Sequence, residues 1–185
     1  MIDYPDPPLA TGFIRLRPWS EDDLAWQVEM YEGDTELERW LDSPIPHTYE
    51  EARERLSEDE QRRRDGEAIF FAIEDTNGDL RGEAQLINLN KKTASGGVGY
   101  WVATPARNRG VATAAVKLLS AWAFEALGLK RIELWTVPGN VASERVAERA
   151  GFKREGVLRS YAEIRGRRTD AVMHSLLPDD IDLPS

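Results

Sequence analysis

The sequence predicts a mixed α/β fold of the α+β type, built on one central mixed sheet of about seven strands. The Asn77-Gly78 pair between two apolar runs is a strong signal for an antiparallel hairpin. Residues 110–127 carry apolar side chains at helical spacing and lie between two strand segments, 98–103 and 131–137. Because a strand–helix–strand unit pairs its strands in parallel, the sheet must combine both pairing directions.

The first half of the chain supplies one strand, two helices and a three-stranded antiparallel meander. Residues 1–10 contain three prolines and are predicted to be irregular. Ser20 and the three acids after it are typical of a helix start. The connector 33–46, with its Pro44-Ile45-Pro46 turn, is either a packed loop or the edge of a substrate pocket. The predicted segments are strand 11–19, helix 20–32, a short helical piece near 37–41, helix 48–65 and strands 68–74, 80–89 and 98–103.

The second half supplies the crossover helix, another helix and a closing hairpin. Gly128 is expected to end the helix 110–127, and Gly166 marks the turn of the hairpin. The other predicted segments are strand 131–137, a helix from 140 or 141 to 151, and strands 153–165 and 168–177. The order β-α-α-β-β-β-α-β-α-β-β is that of a single domain over residues 1–185, with a core of about 11–177 and a short acidic tail.

Composition excludes several kinds of site and partner. The 185 residues suffice for one sizeable core. With no cysteine and two histidines, the chain has no disulfide framework and no thiolate nucleophile, and we expect no metal site. No apolar run approaches the roughly 18 residues of a membrane span, and no signal pattern is present. We therefore expect a cytoplasmic location, no membrane partner and, from the net charge of −9, no direct binding of nucleic acid.

The charge is distributed unevenly along the chain. Residues 20–65 hold 16 acids and 6 bases, whereas residues 105–170 hold 7 acids and 13 bases. Either these are two solvated faces, or an acidic half attracts a cationic amine while a basic half holds an anionic cofactor.

Residues 99–113 have the pattern of a strand, a turn and a helix start. Pro105 ends the strand, since it has no N–H for a ladder. A helix start presents unpaired N–H groups and a positive dipole, Gly110 permits close approach of a ligand, and Arg107 and Arg109 add positive charge. These residues fit either a phosphate site or an ordinary solvated turn. The sequence lacks the Gly-Lys-Ser/Thr of a Walker loop and the three glycines of a dinucleotide fingerprint.

Several blocks resemble the GNAT N-acetyltransferase superfamily, in particular its RimJ/RimL branch. Arg107-x-x-Gly110-x-Ala112 after a Gly-Tyr-Trp strand resembles the family's acyl-CoA pyrophosphate loop. The blocks Leu16-Arg17-Pro18-Trp19, Asn140-Val141-Ala142-Ser143, Ala150-Gly151-Phe152 and Glu155-Gly156-Val157-Leu158-Arg159 occur in the order found in that branch. The resemblance covers roughly residues 11–177 and implies the GNAT acyl-CoA N-acyltransferase fold.

The resemblance also implies a site for acetyl-CoA (coenzyme A with its acetyl group) between two splayed parallel strands. The pantetheine arm would follow the backbone of Tyr100, Trp101, Val102, Ala103 and Thr104, with the Val102 N–H polarising the thioester carbonyl. The pyrophosphate would lie on Arg107, Asn108, Arg109, Gly110, Val111, Ala112 and Thr113. Asn140 would contact the arm, although a helix cap explains this residue equally well.

The candidate catalytic residues are Ser143, Glu83 and Glu163. The Ser143 hydroxyl would protonate the leaving thiolate, or it is only a first-turn residue of its helix. Glu83, Glu163 and His174 are candidate bases, because the attacking amine must be neutral. Proteins of the RimL type carry a glutamate near the position of Ala162, and here Glu163 follows one residue later, on the opposite side of a strand.

The leading hypothesis is an enzyme that transfers an acetyl group from acetyl-CoA to a primary amine by direct attack in a ternary complex. The acceptor would be a protein N-terminal α-amine or a cationic small molecule. The alternative is a non-catalytic acyl-CoA-binding or sensor module. Both a monomer and a homodimer are compatible with the sequence.

Overall fold

A computed structural model describes residues 1–32, 34–41 and 45–181. Their strands form one open mixed sheet in the order β1-β2-β3-β4-β5-β6-β8-β7. The β5–β6 pair is parallel, and the other pairs of this sheet are antiparallel. The strands are β1 (Leu9–Ala10), β2 (Ile14–Arg17), β3 (Ile69–Asp75), β4 (Leu80–Asn90), β5 (Ser95–Val102), β6 (Arg131–Thr136), β7 (Lys153–Ile164) and β8 (Arg167–Leu176).

Helices cover both faces of the sheet and enclose two separate cores. The larger core lies under α4 and α5, and the smaller one gathers side chains of α1 and α2 around Trp101. Val102 enters the larger core and its neighbour Trp101 the smaller one, as the alternation of side chains along a strand requires. The helices are α1 (Leu24–Tyr31), α2 (Thr35–Trp40), α3 (Tyr49–Asp65), α4 (Val111–Glu125) and α5 (Val141–Arg149).

The predicted order of elements and the mixed sheet are confirmed, with two corrections. Residues 1–10 are not irregular throughout, because β1 pairs with β2 and Ile2 is buried, its N–H donating to the Arg63 carbonyl at 3.1 Å. Strand β5 begins at Ser95, three residues before the predicted start. Glycines usually indicate a turn, but here Gly96 lies in a closely packed strand, where a Cβ would be 2.6 Å from the Leu89 side chain.

Two parts of the prediction fall outside the described residues. Pro44 of the proposed pocket-edge turn is one, and the end of the acidic tail, residues 182–185, is the other. Among the described residues, no helix combines the length and apolar character needed to cross a bilayer. The same residues contain no group of three or more side chains suited to holding a metal ion.

The parallel strands β5 and β6 separate soon after they meet. They pair through Ser95–Gly97 and Arg131–Glu133, whereas β5 continues to Val102 and β6 to Thr136. Helix α4 connects the two strands across the larger core. The unpaired halves of β5 and β6 therefore border a gap in the sheet, which we call the strand gap.

We expect the substitution Gly82→Ala to destabilise the protein strongly. A Cβ at Gly82 would lie 2.1 Å from the Trp101 carbonyl oxygen and 2.9 Å from the Val102 Cα, and these backbone atoms cannot rotate away. Overpacking of this kind costs about 3 kcal/mol of unfolding free energy, measurable by urea denaturation. Gly12→Ala is the control, because a Cβ there meets nothing within 4 Å. Equal stability of the two variants would contradict the close approach of β4 and β5.

Candidate functional site

The start of α4 forms a cradle of backbone N–H groups at one end of the strand gap. Asn108 and Gly110 both adopt left-handed backbone conformations, with φ of 60° and 80°. The helical hydrogen bonds begin with the Ala114 N–H, which donates to the Gly110 carbonyl at 3.0 Å. The N–H groups of residues 111–113 are consequently free of helical partners and carry the positive end of the helix dipole. This arrangement suits a phosphate or pyrophosphate group.

The two arginines before this cradle differ in what they contact. Arg109 is exposed and forms none of the ion pairs found among the described residues. The Arg107 Nε donates to the Val102 carbonyl at 3.0 Å, and its guanidinium pairs with the carboxylate of Asp34. The Arg107 side chain thus binds the protein itself, and Arg109 is the better placed of the two to meet an anion.

The backbone of β5 presents alternate N–H groups to the strand gap. The Ala103 N–H donates to the Arg81 carbonyl at 2.9 Å, so the backbone groups of Ala103, and of Trp101 two residues earlier, face β4. The N–H groups of Tyr100 and Val102 accordingly face the opposite side, where β6 has separated. This orientation is compatible with the predicted role of the Val102 N–H, while Trp101 and Ala103 offer the gap no backbone donor.

Ser143 and Tyr100 meet across the strand gap from different elements. Ser143 lies in the first turn of α5, and its Oγ is 2.8 Å from the Tyr100 hydroxyl. Burial raises the pKa of Tyr100 to about 12, with the hydrogen bond to Ser143 opposing the rise. Asn140 caps α5, since its Oδ1 accepts the Ser143 N–H at 3.1 Å. The cap interpretation of Asn140 is therefore observed, and a contact with a cofactor stays a prediction.

Glu83 lies in the smaller core beneath α1 and α3 and is only 2% exposed. Its Oε1 accepts a hydrogen bond from the Arg55 Nη2 at 2.8 Å, and the Arg55 Nη1 also donates to the Tyr31 hydroxyl at 3.1 Å. Burial raises the pKa of the Glu83 carboxyl, while the charge of Arg55 opposes that rise. The carboxylate of Glu83 is thus part of a buried ion pair.

The other two candidate bases lie apart from this ion pair. Glu163 is exposed on β7, opposite Arg168 and close to the hairpin turn. His174 is 4% exposed on β8, opposite Leu134, a residue of the larger core. Its Nδ1 is buried without a hydrogen-bond partner among the described residues. Neither residue is brought into contact with Glu83 or Ser143.

A groove that sequence analysis did not identify opens on the sheet face that carries Trp101. Its lining includes Ile87, Gly97, Glu133, Trp135 and Tyr161. The rings of Trp135 and Tyr161 meet edge to face with centroids 6.1 Å apart. Gly97 and Glu133 are the last paired residues of β5 and β6, so the groove begins where the strands separate. In the sequence, the available signal was the charged Glu133 between the apolar Ile132 and Leu134 of β6.

Comparison with known proteins now assigns the fold to a family. A family model described as an acetyltransferase (GNAT) domain matches residues 14–153. The chain belongs to the GNAT acetyltransferase family. It carries that family's acetyl-CoA-dependent N-acetyltransferase domain, and the predicted family, fold and cofactor are confirmed.

Individual GNAT proteins support this assignment. The Bacillus subtilis protein YjcK, described as a probable N-acetyltransferase, is 35% identical over 139 residues, which cover 72% of this chain and 76% of YjcK. YdaF of the same organism, described as a candidate ribosomal N-acetyltransferase, is 38% identical over 100 residues, 54% of this chain and 55% of YdaF. The structure of Mycobacterium smegmatis RimJ with CoA-disulfide superposes with a TM-score of 0.85 at 28% identity and covers 91% of this chain and 83% of that chain.

The α4 cradle fits the GNAT cofactor on two observations of this chain. A Cβ at Gly110 meets nothing within 4 Å, so the backbone there is open to a ligand. The free N–H groups of residues 111–113 and the exposed Arg109 supply positive charge for a pyrophosphate. The unpaired edge of β5 offers further donors along the strand gap.

We expect Gly110→Glu to abolish the stabilisation of the protein by CoA. The new carboxylate would repel the pyrophosphate and obstruct the cradle. CoA binding raises the melting temperature of the native protein by mass action, and thermal unfolding with and without CoA measures the change. The matched control is Gly128→Glu, since Gly128, beyond the other end of α4, also has a positive φ (66°) and open space. An equal CoA-dependent shift in both variants would place the pyrophosphate elsewhere.

Proposed function

We propose that this chain acetylates the N-terminal α-amine of a protein or peptide, with Ser143 as the proton donor to the leaving group. The observation that carries the proposal is the 2.8 Å contact between Ser143 and Tyr100 beside the strand gap. This contact joins the Ser143 hydroxyl, on the first turn of α5, to Tyr100 of β5. The edge of β5 that faces β6 is unpaired at Tyr100. A proton donor and a carbonyl-polarising N–H, that of Val102, then border the same space.

In this proposal Tyr100 orients the hydroxyl group of Ser143. Because its pKa is raised to about 12, the phenol keeps its proton at neutral pH. When Tyr100 donates that proton to the Ser143 Oγ, the Ser143 O–H is directed elsewhere and remains available for transfer. Acetyl-CoA supplies the acetyl group as a thioester, whose sulfur needs a proton as it leaves. Ser143 is placed to deliver it, and the Val102 N–H is placed to stabilise negative charge on the carbonyl oxygen.

The state of Glu83 favours an α-amine over a more basic amine. The Glu83 carboxylate is enclosed in the smaller core and bound by Arg55, so an acceptor amine has no direct access to it. An α-amine, with a pKa near ~8, is partly neutral at pH 7 without help, whereas lysine and similar amines, near ~10.4, are almost fully protonated. The site therefore suits an acceptor amine that is partly unprotonated at pH 7 without a catalytic base.

The groove beside Trp135 and Tyr161 gives such an acceptor a path to the strand gap. Its glycine-lined floor and aromatic wall resemble surfaces that hold an extended peptide. Glu133, whose Oε1 accepts a hydrogen bond from the Arg131 Nε at 2.9 Å, places a carboxylate at the end where the strands separate. The relative YdaF is described as a candidate ribosomal N-acetyltransferase, which agrees with a protein acceptor.

We expect a panel of amines to discriminate between the acceptor classes. The panel comprises a lysine-free peptide with a free N-terminus, an N-acetylated peptide with one lysine, and spermidine. The free α-amine should be acetylated fastest at pH 7, with a rate that rises toward pH 9 as the amine loses its proton. Release of CoA, together with mass spectrometry of the products, measures this. Faster acetylation of spermidine would support the cationic small molecule and contradict the α-amine.

We expect Ser143→Ala to lower kcat about 100-fold, as removal of a general acid does, with little change in CoA affinity. Tyr100→Phe retains Ser143 but not its orientation and should have a smaller effect in the same direction. Steady-state kinetics with the best acceptor and calorimetry with CoA measure the two quantities. Ser57→Ala, on the exposed surface of α3, is the control. If Ser143→Ala retained the native kcat, that result would contradict the role of Ser143 as the proton donor.

A further inference from the structure

One buried carboxylate connects α2 to the loop that precedes α4. The Asp34 Oδ1 accepts the N–H groups of Glu36 and Leu37, at 3.2 and 3.1 Å, and so caps α2. Its Oδ2 accepts the Thr104 hydroxyl at 2.8 Å and pairs with the guanidinium of Arg107. The Asp34 side chain is 6% exposed. A single residue thereby holds together two segments that lie about 70 positions apart in sequence.

Arg107 extends this connection to the end of β5. While it pairs with Asp34, its Nε donates to the Val102 carbonyl at 3.0 Å. Two of the five N–H donors of Arg107 therefore bind protein acceptors in different segments, the Val102 carbonyl and the Asp34 carboxylate. Arg107 thus holds the Val102 carbonyl on the same side of β5 as the Val102 N–H, which faces the strand gap. The conformation of the cofactor loop depends on Asp34 through these contacts.

The other end of the connection lies on the acceptor side of the sheet. Leu37, whose N–H is capped by Asp34, is buried in the smaller core with Tyr31 and Trp101. Burial acts to raise the pKa of Asp34, but hydrogen bonds from Leu37, Thr104 and Arg107 hold it below its ordinary value. The carboxylate is consequently charged at neutral pH, and its ion pair with Arg107 persists through the working range of the enzyme.

We propose that Asp34 is a positioning residue that couples α2 to the acetyl-CoA loop, so that cofactor binding and the docking of α2 stabilise each other. The inference rests on the proposed placement of the pyrophosphate at the α4 cradle. It assigns Arg107 to the internal clamp with Asp34 in place of the phosphate contact expected from sequence. Because coupling between two events is reciprocal, the factor by which docking of α2 strengthens CoA binding equals the factor by which bound CoA favours the docked α2.

The test uses the substitution Asp34→Asn with CoA as the only ligand. Asparagine is as good a helix cap as aspartate, so α2 keeps its cap while the charge that holds Arg107 is lost. Calorimetry should show CoA binding weakened about fivefold or more, the lower range of measured couplings. Hydrogen exchange should show that CoA raises the protection of the α2 amides in the native protein and fails to do so in the variant.

Asp23→Asn is the matched control. The Asp23 side chain is also a buried carboxylate, 9% exposed, that accepts the Ser20 N–H at 2.8 Å and pairs with an arginine, Arg17, at the start of α1. Loss of the Asp23 carboxylate should lower the free energy of unfolding without changing the affinity for CoA. A further variant, Arg107→Ala, should weaken CoA binding as Asp34→Asn does, and the double variant should bind no more weakly than either single one.

Opposite results would overturn the coupling. If Arg107 were a phosphate ligand restrained by Asp34, Asp34→Asn would release it and CoA would bind equally well or more tightly. That outcome, in a native protein that binds CoA, refutes the coupling and leaves the proposed function intact. A native protein that does not bind CoA refutes the cofactor placement and the coupling together. Neither readout requires an acceptor, so failure to find the acceptor does not affect the test.

Discussion

The separation of β5 from β6 after three paired residues is the constraint on which the site depends. A parallel pair that continued to Val102 would consume the N–H groups of Tyr100 and Val102 in the sheet and close the space between the strands. Since it stops at Gly97 and Glu133, strand donors remain on one side of the gap. The elements that follow each strand, α4 and α5, then bring a helix start and the Ser143 hydroxyl to the same opening.

Arginines hold the buried carboxylates that surround this opening. Glu83 is bound by Arg55 on the acceptor side, and Asp34 by Arg107 on the cofactor side. Burying a carboxylate costs several kcal/mol unless a partner and hydrogen bonds compensate, which explains why each has both. Both carboxylates are thus buried in ion pairs, while the hydroxyl groups of Ser143 and Tyr100 and backbone N–H groups of β5 border the gap.

Local patterns in the sequence were sufficient for the elements and for the cradle. Gly110 before a helical apolar stripe, and the strands on either side of that stripe, predict the parallel pair and the helix start. Side-chain partners were not predictable in this way. Asp34 and Arg107 are 73 residues apart, and Tyr100 and Ser143 are 43 apart, so neither pairing leaves a trace in periodicity. The burial of Ile2 was not predicted for the same reason, because Ile2 is bound by the distant Arg63 of α3.

The proposed acceptor follows from the contrast between the buried, ion-paired carboxylates and the hydroxyl and N–H groups that border the gap. At pH 7 an α-amine with a pKa near ~8 is roughly one-tenth neutral, while an amine near ~10.4 is neutral in only about one molecule in 2,500. Under the proposed function, this difference in neutral fraction alone favours an α-amine about 200-fold at pH 7. The groove past Trp135 and Tyr161 would then need only to select among N-termini.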